Sequence, residues 1–89
     1  MARVAFTDNL KRHIACPVVR ADGRTVAAVL DTVFAANPRL RSYVLDDQGR
    51  LRRHVHVYVN AERIADPIAL SDRVRPDDEV FVFQALSGG

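Results

Sequence analysis

The period of apolar and polar positions changes several times along the chain, and each change marks an element. Residues 3–7 alternate, with Val4 and Phe6 on one face, which predicts a strand. Thr7-Asp8-Asn9 follows as a turn, and Leu10 is expected to tuck inward behind it. Residues 17–21 read as a second short strand, closed by Asp22-Gly23. From there the period lengthens. Val26, Val29, Leu30, Val33 and Phe34 fall on one helical stripe, with Ala27, Ala28, Asp31, Thr32 and Ala35 around the other side. Thr25 is the expected N-cap, because its hydroxyl can accept from a free backbone N–H of the first turn. Asn37 suits the left-handed position after the helix, and Pro38 stops continuation.

The second half is shorter-ranged. Residues 39–44 fit either a short helical turn or irregular coil, and Asp46-Asp47-Gln48-Gly49 is a turn. Residues 51–59 predict a strand with Val55, Val57 and Val59 toward the core. Arg50, Arg52, His54, His56 and Tyr58 then lie on the opposite face. Asn60-Ala61-Glu62 turns the chain, and Arg63-Ile64 makes a stub of strand. One helical turn at residues 70–74 is expected to plug the sheet with Leu70 and Val74. Pro76-Asp77-Asp78 turns into a last strand at residues 80–83. There Phe81 and Phe83 alternate with Val80 and Val82, so only one pair can face the helix. Either the phenylalanines are core and the valines exposed, or the valines are core. The second arrangement leaves an aromatic pair open beside the chain's last residues, an expected docking patch made of Phe81, Phe83 and Leu86. One helix must cover one face of one mixed sheet of four to five strands, an α+β layout.

Composition narrows the function classes. The 89 residues predict one domain over 1–86 and a flexible tail over 87–89, where Ser87-Gly88-Gly89 holds no regular structure cheaply. The net charge of +2 is too small to imply a nucleic-acid partner. Cys16 is the sole cysteine, so no internal disulfide and no thiolate cluster can form, and a small, partly buried hydrophobe is its expected role. His54 and His56 have the i, i+2 spacing of strand-borne metal ligands but lack a third partner, so no metal is expected. The basic stripe from Arg50 to Tyr58, beside open phenylalanines, has the ingredients of a single-strand RNA platform. The low net charge favours a solvated face that meets an acidic protein instead, and no nucleic-acid partner is expected. With no apolar segment of membrane-spanning length and no leader-like start, no membrane partner and a cytoplasmic location are expected.

Three stretches carry a resemblance: Val57-Tyr58-Val59-Asn60 followed by a turn, Pro76-Asp77-Asp78-Glu79-Val80, and the final Ala85-Leu86-Ser87-Gly88-Gly89. Together they resemble the sulfur carriers of the MoaD/ThiS family, whose pattern is a strand ending in Val-Asn, a Gly-Asp-Glu-Val turn and a terminal Gly-Gly. Residues 51–64 and the length are most similar to carriers of the cysteine-biosynthesis type. Asp77 stands where the family often has glycine, and Gln84-Ala85 where molybdopterin carriers have prolines. The resemblance implies a ubiquitin-like β-grasp fold, with the first and last strands side by side in the middle of the sheet. It implies a protein cosubstrate, not an enzyme, monomeric when free and without a bound cofactor. An E1-like partner would adenylate the Gly89 carboxylate with ATP and convert it to a thiocarboxylate. The sulfur would then pass to a biosynthetic acceptor enzyme making cysteine, molybdopterin, thiamine or another sulfur-containing metabolite. Ser87 and Gly88 would supply reach, since a tail without bulky side chains threads a narrow channel. The alternatives are a ubiquitin-like modifier conjugated through Gly89, and a non-catalytic β-grasp module that binds protein or RNA.

Overall fold

The computed structural model describes residues 1–6 and 18–84. Those residues form β1 (Ala2–Phe6), β2 (Val18–Ala21), α1 (Val26–Ala36), α2 (Pro38–Val44), β3 (Val55–Val59), β4 (Glu62–Arg63) and β5 (Glu79–Gln84). The strands join in one sheet of order β2-β1-β5-β3-β4. β5 runs parallel to β1, with Val4 opposite Val80, and antiparallel to β3, with Val57 opposite Val82. β2 and β4 pair antiparallel at the two edges. The last strand in sequence is therefore the middle strand in space, as the β-grasp arrangement requires.

Helix α1 buries the whole expected stripe, Val26, Val29, Leu30, Val33 and Phe34. Its β-branched residues gain little from helix propensity, so packing on the sheet holds them helical. Thr25 caps the first turn by accepting from the Ala28 N–H at 3.2 Å. The core joins this stripe to Val4 and Phe6 of β1, Val55 and Val57 of β3, and Val80 and Val82 of β5. Gly23 packs against the start of α1 so closely that an added Cβ would lie 2.6 Å from the Val29 nitrogen.

Three local expectations change, and the one left open over residues 39–44 resolves as helix. Asn37 is not left-handed: its φ is −138° and its ψ 70°. It closes α1 with its backbone N–H on the Val33 and Phe34 carbonyls and its Nδ2 donating to Val33 O at 3.1 Å. Pro38 does not merely stop one helix; it occupies the first turn of the next, where its fixed φ fits and its missing N–H costs nothing. Residues 38–44 are thus a second helix, which buries Leu40 and Val44 beside α1.

The strand expected over 51–59 begins only at Val55. Leu51 makes a lone bridge to Leu45, and residues 53–54 form a turn. Arg52 Nε donates to the Ser42 carbonyl at 2.6 Å, and Arg50 pairs with Asp46 at 3.3 Å. The basic stripe is therefore broken, and of its sheet-face members His56 and Tyr58 lie in the strand.

Residues 70–74 are not a helical turn. Leu70 has φ +56°, and Arg73 makes an isolated bridge to Thr25. The Asp66 carboxylate organises this loop, accepting from the Ile68, Ala69 and Ser71 N–H groups and the Ser71 hydroxyl. Leu70 and Val74 still plug the sheet, both buried.

Candidate functional site

β5 decides which face is which. Val80 and Val82 are 0% exposed, whereas Phe81 and Phe83 are 39% and 42% exposed. The valines face α1 and the phenylalanines face outward, because the partner positions Val4 and Val57 also belong to the helix-covered side. The register then fixes the outer face. Ala5 and Tyr58 flank Phe81, Val18 lies beyond Ala5, and His56 lies beside Phe83. The His56 and Phe83 rings stack with centroids 6.4 Å apart and planes 28° apart. Tyr58, Asn60, Phe81 and Phe83 line a shallow groove of about 320 Å³. The expected docking pair is thus exposed, flanked by a tyrosine and a histidine that widen the apolar surface.

The Val-Asn and Asp-Glu parts of the sequence pattern meet here, although they lie about twenty residues apart. Asn60 has φ +57° and donates its backbone N–H to Glu79 O at 2.7 Å. Its side chain accepts from the Glu79 N–H at 3.0 Å and donates from Nδ2 to Asp78 Oδ1 at 3.0 Å. The other Asp78 oxygen accepts from the Arg75 N–H at 2.8 Å. This clasp joins the end of β3 to the start of β5 across a turn. The Arg75 backbone bond, then the Asn60 side-chain bond, hold the Asp78 carboxyl below its ordinary range. The sequence pattern assigns Asp78 to shaping the turn and marks Asn60 as a turn residue and the end of the Val-Asn string, without joining the two. A non-glycine residue suited to the left-handed region at a strand end was the available signal.

Among the described residues no group of three or more His, Cys, Asp and Glu gathers in metal-binding geometry. His54 sits in the turn before β3 and does not share a strand face with His56. His56 Nδ1 instead accepts from Arg63 Nη2 at 2.8 Å, the guanidinium being able only to donate. Cys16, Leu86, Ser87, Gly88 and Gly89 lie outside the described residues. β5 (Glu79–Gln84), the last described element, is held on both sides by β1 and β3. No helix of the described residues is long and apolar enough to cross a membrane.

One helix-covered sheet with its last strand in the middle defines a ubiquitin-like β-grasp protein. The ThiS family model matches residues 11–89, and the chain belongs to that family of sulfur carriers and ubiquitin-like modifiers. Small archaeal modifier protein 1 of Haloferax volcanii is 38% identical over 72 residues, covering 80% of this chain and 78% of that protein. The crystal structure of SAMP1 from the same organism superposes with a TM-score of 0.85 at 31% identity, over 99% of this chain and 98% of that one. The Amycolatopsis orientalis BexX/CysO complex contains a chain that matches with a TM-score of 0.87 at 26% identity over the whole of both chains. Mycobacterium tuberculosis CysO gives 0.81 at 25% identity, over 97% of this chain and 100% of that one.

Proposed function

We propose that this chain is a sulfur carrier whose Gly89 carboxylate is activated and converted to a thiocarboxylate. The observation that carries the reading is membership of the ThiS family through a match that runs to Gly89. A carboxylate is a poor electrophile. In the proposed sequence one of its oxygens attacks the α-phosphorus of ATP on an E1-like partner, releasing pyrophosphate and forming an acyl-adenylate. A sulfur nucleophile then attacks the acyl carbon and displaces AMP. The resulting thioacid ionises readily and is a soft nucleophile, and its tether supplies orientation and keeps sulfide out of bulk solution. Phe81, Phe83 and Leu86 are the proposed contacts for the activating and accepting enzymes, Ser87 and Gly88 the reach, and Gly89 the chemistry. The exposure of Phe81 and Phe83 on the central strand supports that division. The CysO relative in complex with BexX supports a life spent docking on partner enzymes.

The test is ATP–pyrophosphate exchange by an E1-like adenylating enzyme of the source organism. The intact chain is expected to drive exchange, and a chain lacking Gly89 is expected not to. Equal exchange by both would refute the assignment of Gly89.

A second reading is favoured by one observation: the 38% identical relative is a small archaeal modifier protein. The same activated Gly89 would then acylate lysines of target proteins. Isopeptide-linked adducts in cells, without thiocarboxylate, would establish that reading over the first.

A further inference from the structure

The register places charge around the apolar patch in a definite way. Arg20 of β2 lies opposite Arg3 of β1, and Arg3 lies opposite Glu79 of β5. At the other edge Arg63 of β4 lies opposite Tyr58 of β3. Pairing partners share a face, so Arg20, Arg3, Glu79 and Arg63 stand on the same open face as Phe81 and Tyr58. The strands put three guanidiniums there against one carboxylate. That carboxylate is already engaged: Arg3 Nε lies 3.7 Å from Glu79 Oε2. Arg63 is held in place by His56, which itself stacks on Phe83, so its charge is fixed beside the aromatic groove. Among the described residues Arg20 and Arg63 are therefore the cations of this face without a carboxylate paired within 4.0 Å, one on each edge strand of the sheet, Arg20 lining a hollow that Asp77 and Asp78 also line. Strands are spaced about 4.8 Å apart, so four steps from β2 to β4 set the two about 20 Å from each other.

We propose that this face receives a partner protein whose apolar contact for Phe81 and Tyr58 is flanked by two carboxylate clusters about 20 Å apart, one for Arg20 and one for Arg63. The inference rests on the reading that the phenylalanine face is the docking face. A protein partner fits better than RNA, because Arg20 and Arg63 stand on opposite edge strands with the apolar Phe81 and Tyr58 between them, and not in the continuous basic track that a phosphate backbone follows. A guanidinium pre-ordered at a patch edge loses less freedom on pairing than a free one, so Arg63 is the stronger of the two anchors.

The experiment measures the KM for the carrier in ATP–pyrophosphate exchange by the organism's E1-like adenylating enzyme. The variants are Arg20→Glu with Arg63→Glu, Phe81→Ala with Phe83→Ala, and Arg39→Glu as a net-charge control on α2. The charge reversals together are expected to raise KM about tenfold, with Arg39→Glu unchanged. Added salt is expected to weaken the native chain more than the double reversal. Circular dichroism of each variant confirms the native fold before it is scored. If the phenylalanine pair leaves KM unchanged, the docking reading fails. If that pair raises KM but the reversals do not, or Arg39→Glu acts equally, the flanking-carboxylate inference alone is overturned. It is also overturned if the reversals abolish binding to an oligouridine probe and leave KM untouched, which would make the face an RNA surface.

Discussion

Replacing Asn60 isolates the clasp that ties β3 to β5. Asn60→Ala removes the Oδ1 acceptor of the Glu79 N–H and the Nδ2 donor to Asp78, and forces alanine to hold φ +57°. Water replaces the exposed Asp78 bond at little cost, and the loss of the neutral Glu79 bond costs about 1 kcal/mol. Alanine in the left-handed region costs about 1 kcal/mol more than a residue at ease there. The total of about 2 kcal/mol corresponds to a fall in Tm of about 10 °C for a chain of this size. Asn60→Gly loses the same two side-chain bonds but accepts positive φ freely, so it should lose about half as much. Thermal melts followed by circular dichroism, with urea titrations to check that m is unchanged, give both numbers. An Asn60→Ala chain that melts with the native one would show that the clasp contributes nothing. Equal losses in the glycine and alanine variants would mean that the backbone conformation contributes nothing.

Other substitutions probe separate parts of the account. Leu40→Ala should cost about 2–5 kcal/mol in urea denaturation, because Leu40 is fully buried and α2 is part of the core; a loss under about 1 kcal/mol would make α2 peripheral. Gly23→Ala should destabilise measurably, since its Cβ would meet the backbone of α1, and an unchanged Tm would show that the turn yields freely. Acid should weaken the fold through Asp66, whose carboxyl is lowered from 3.8 to about 2 by the Ser71 hydroxyl and then by backbone N–H donors. The unfolded chain binds its proton first, so this contribution is complete above about pH 4 and drains away as pH falls toward 2. Asp66→Asn should flatten that part of the stability–pH curve, measured by urea denaturation across the window.

Long-period and alternating patterns were legible in the sequence because they report burial directly. The α1 stripe, the inward valines of β3 and the choice between valines and phenylalanines on β5 all came from that source. The last choice stayed open until the neighbours of β5 were known, since alternation says that one face is buried and not which. One feature stayed open and two were hidden, for different reasons. Helix α2 has only Leu40 and Val44 as buried apolar positions, too few to display a period, and Pro38 reads as a stop as readily as a start. The 51–54 segment does not itself alternate and reads as strand only by continuity with 55–59, and Arg52 is drawn to the Ser42 carbonyl ten residues away, a contact that local pattern cannot show. Leu70 takes a left-handed conformation because the Asp66 carboxylate gathers the surrounding N–H groups, which overrides the preference of a branched apolar residue. The clasp of Asn60 with Asp78 and Glu79 is likewise long-range. It gives a physical reason for two short motifs that the sequence displays only as separate strings.

The central claim is that sulfur is carried on the Gly89 carboxylate. The direct measurement is the intact mass of the chain after incubation with the E1-like enzyme, ATP and a sulfur source. The expected change is that of one oxygen replaced by sulfur, confined to a C-terminal peptide and absent when a residue is appended after Gly89. An unchanged mass with the cognate enzyme, or the same change in the extended chain, would contradict the central claim.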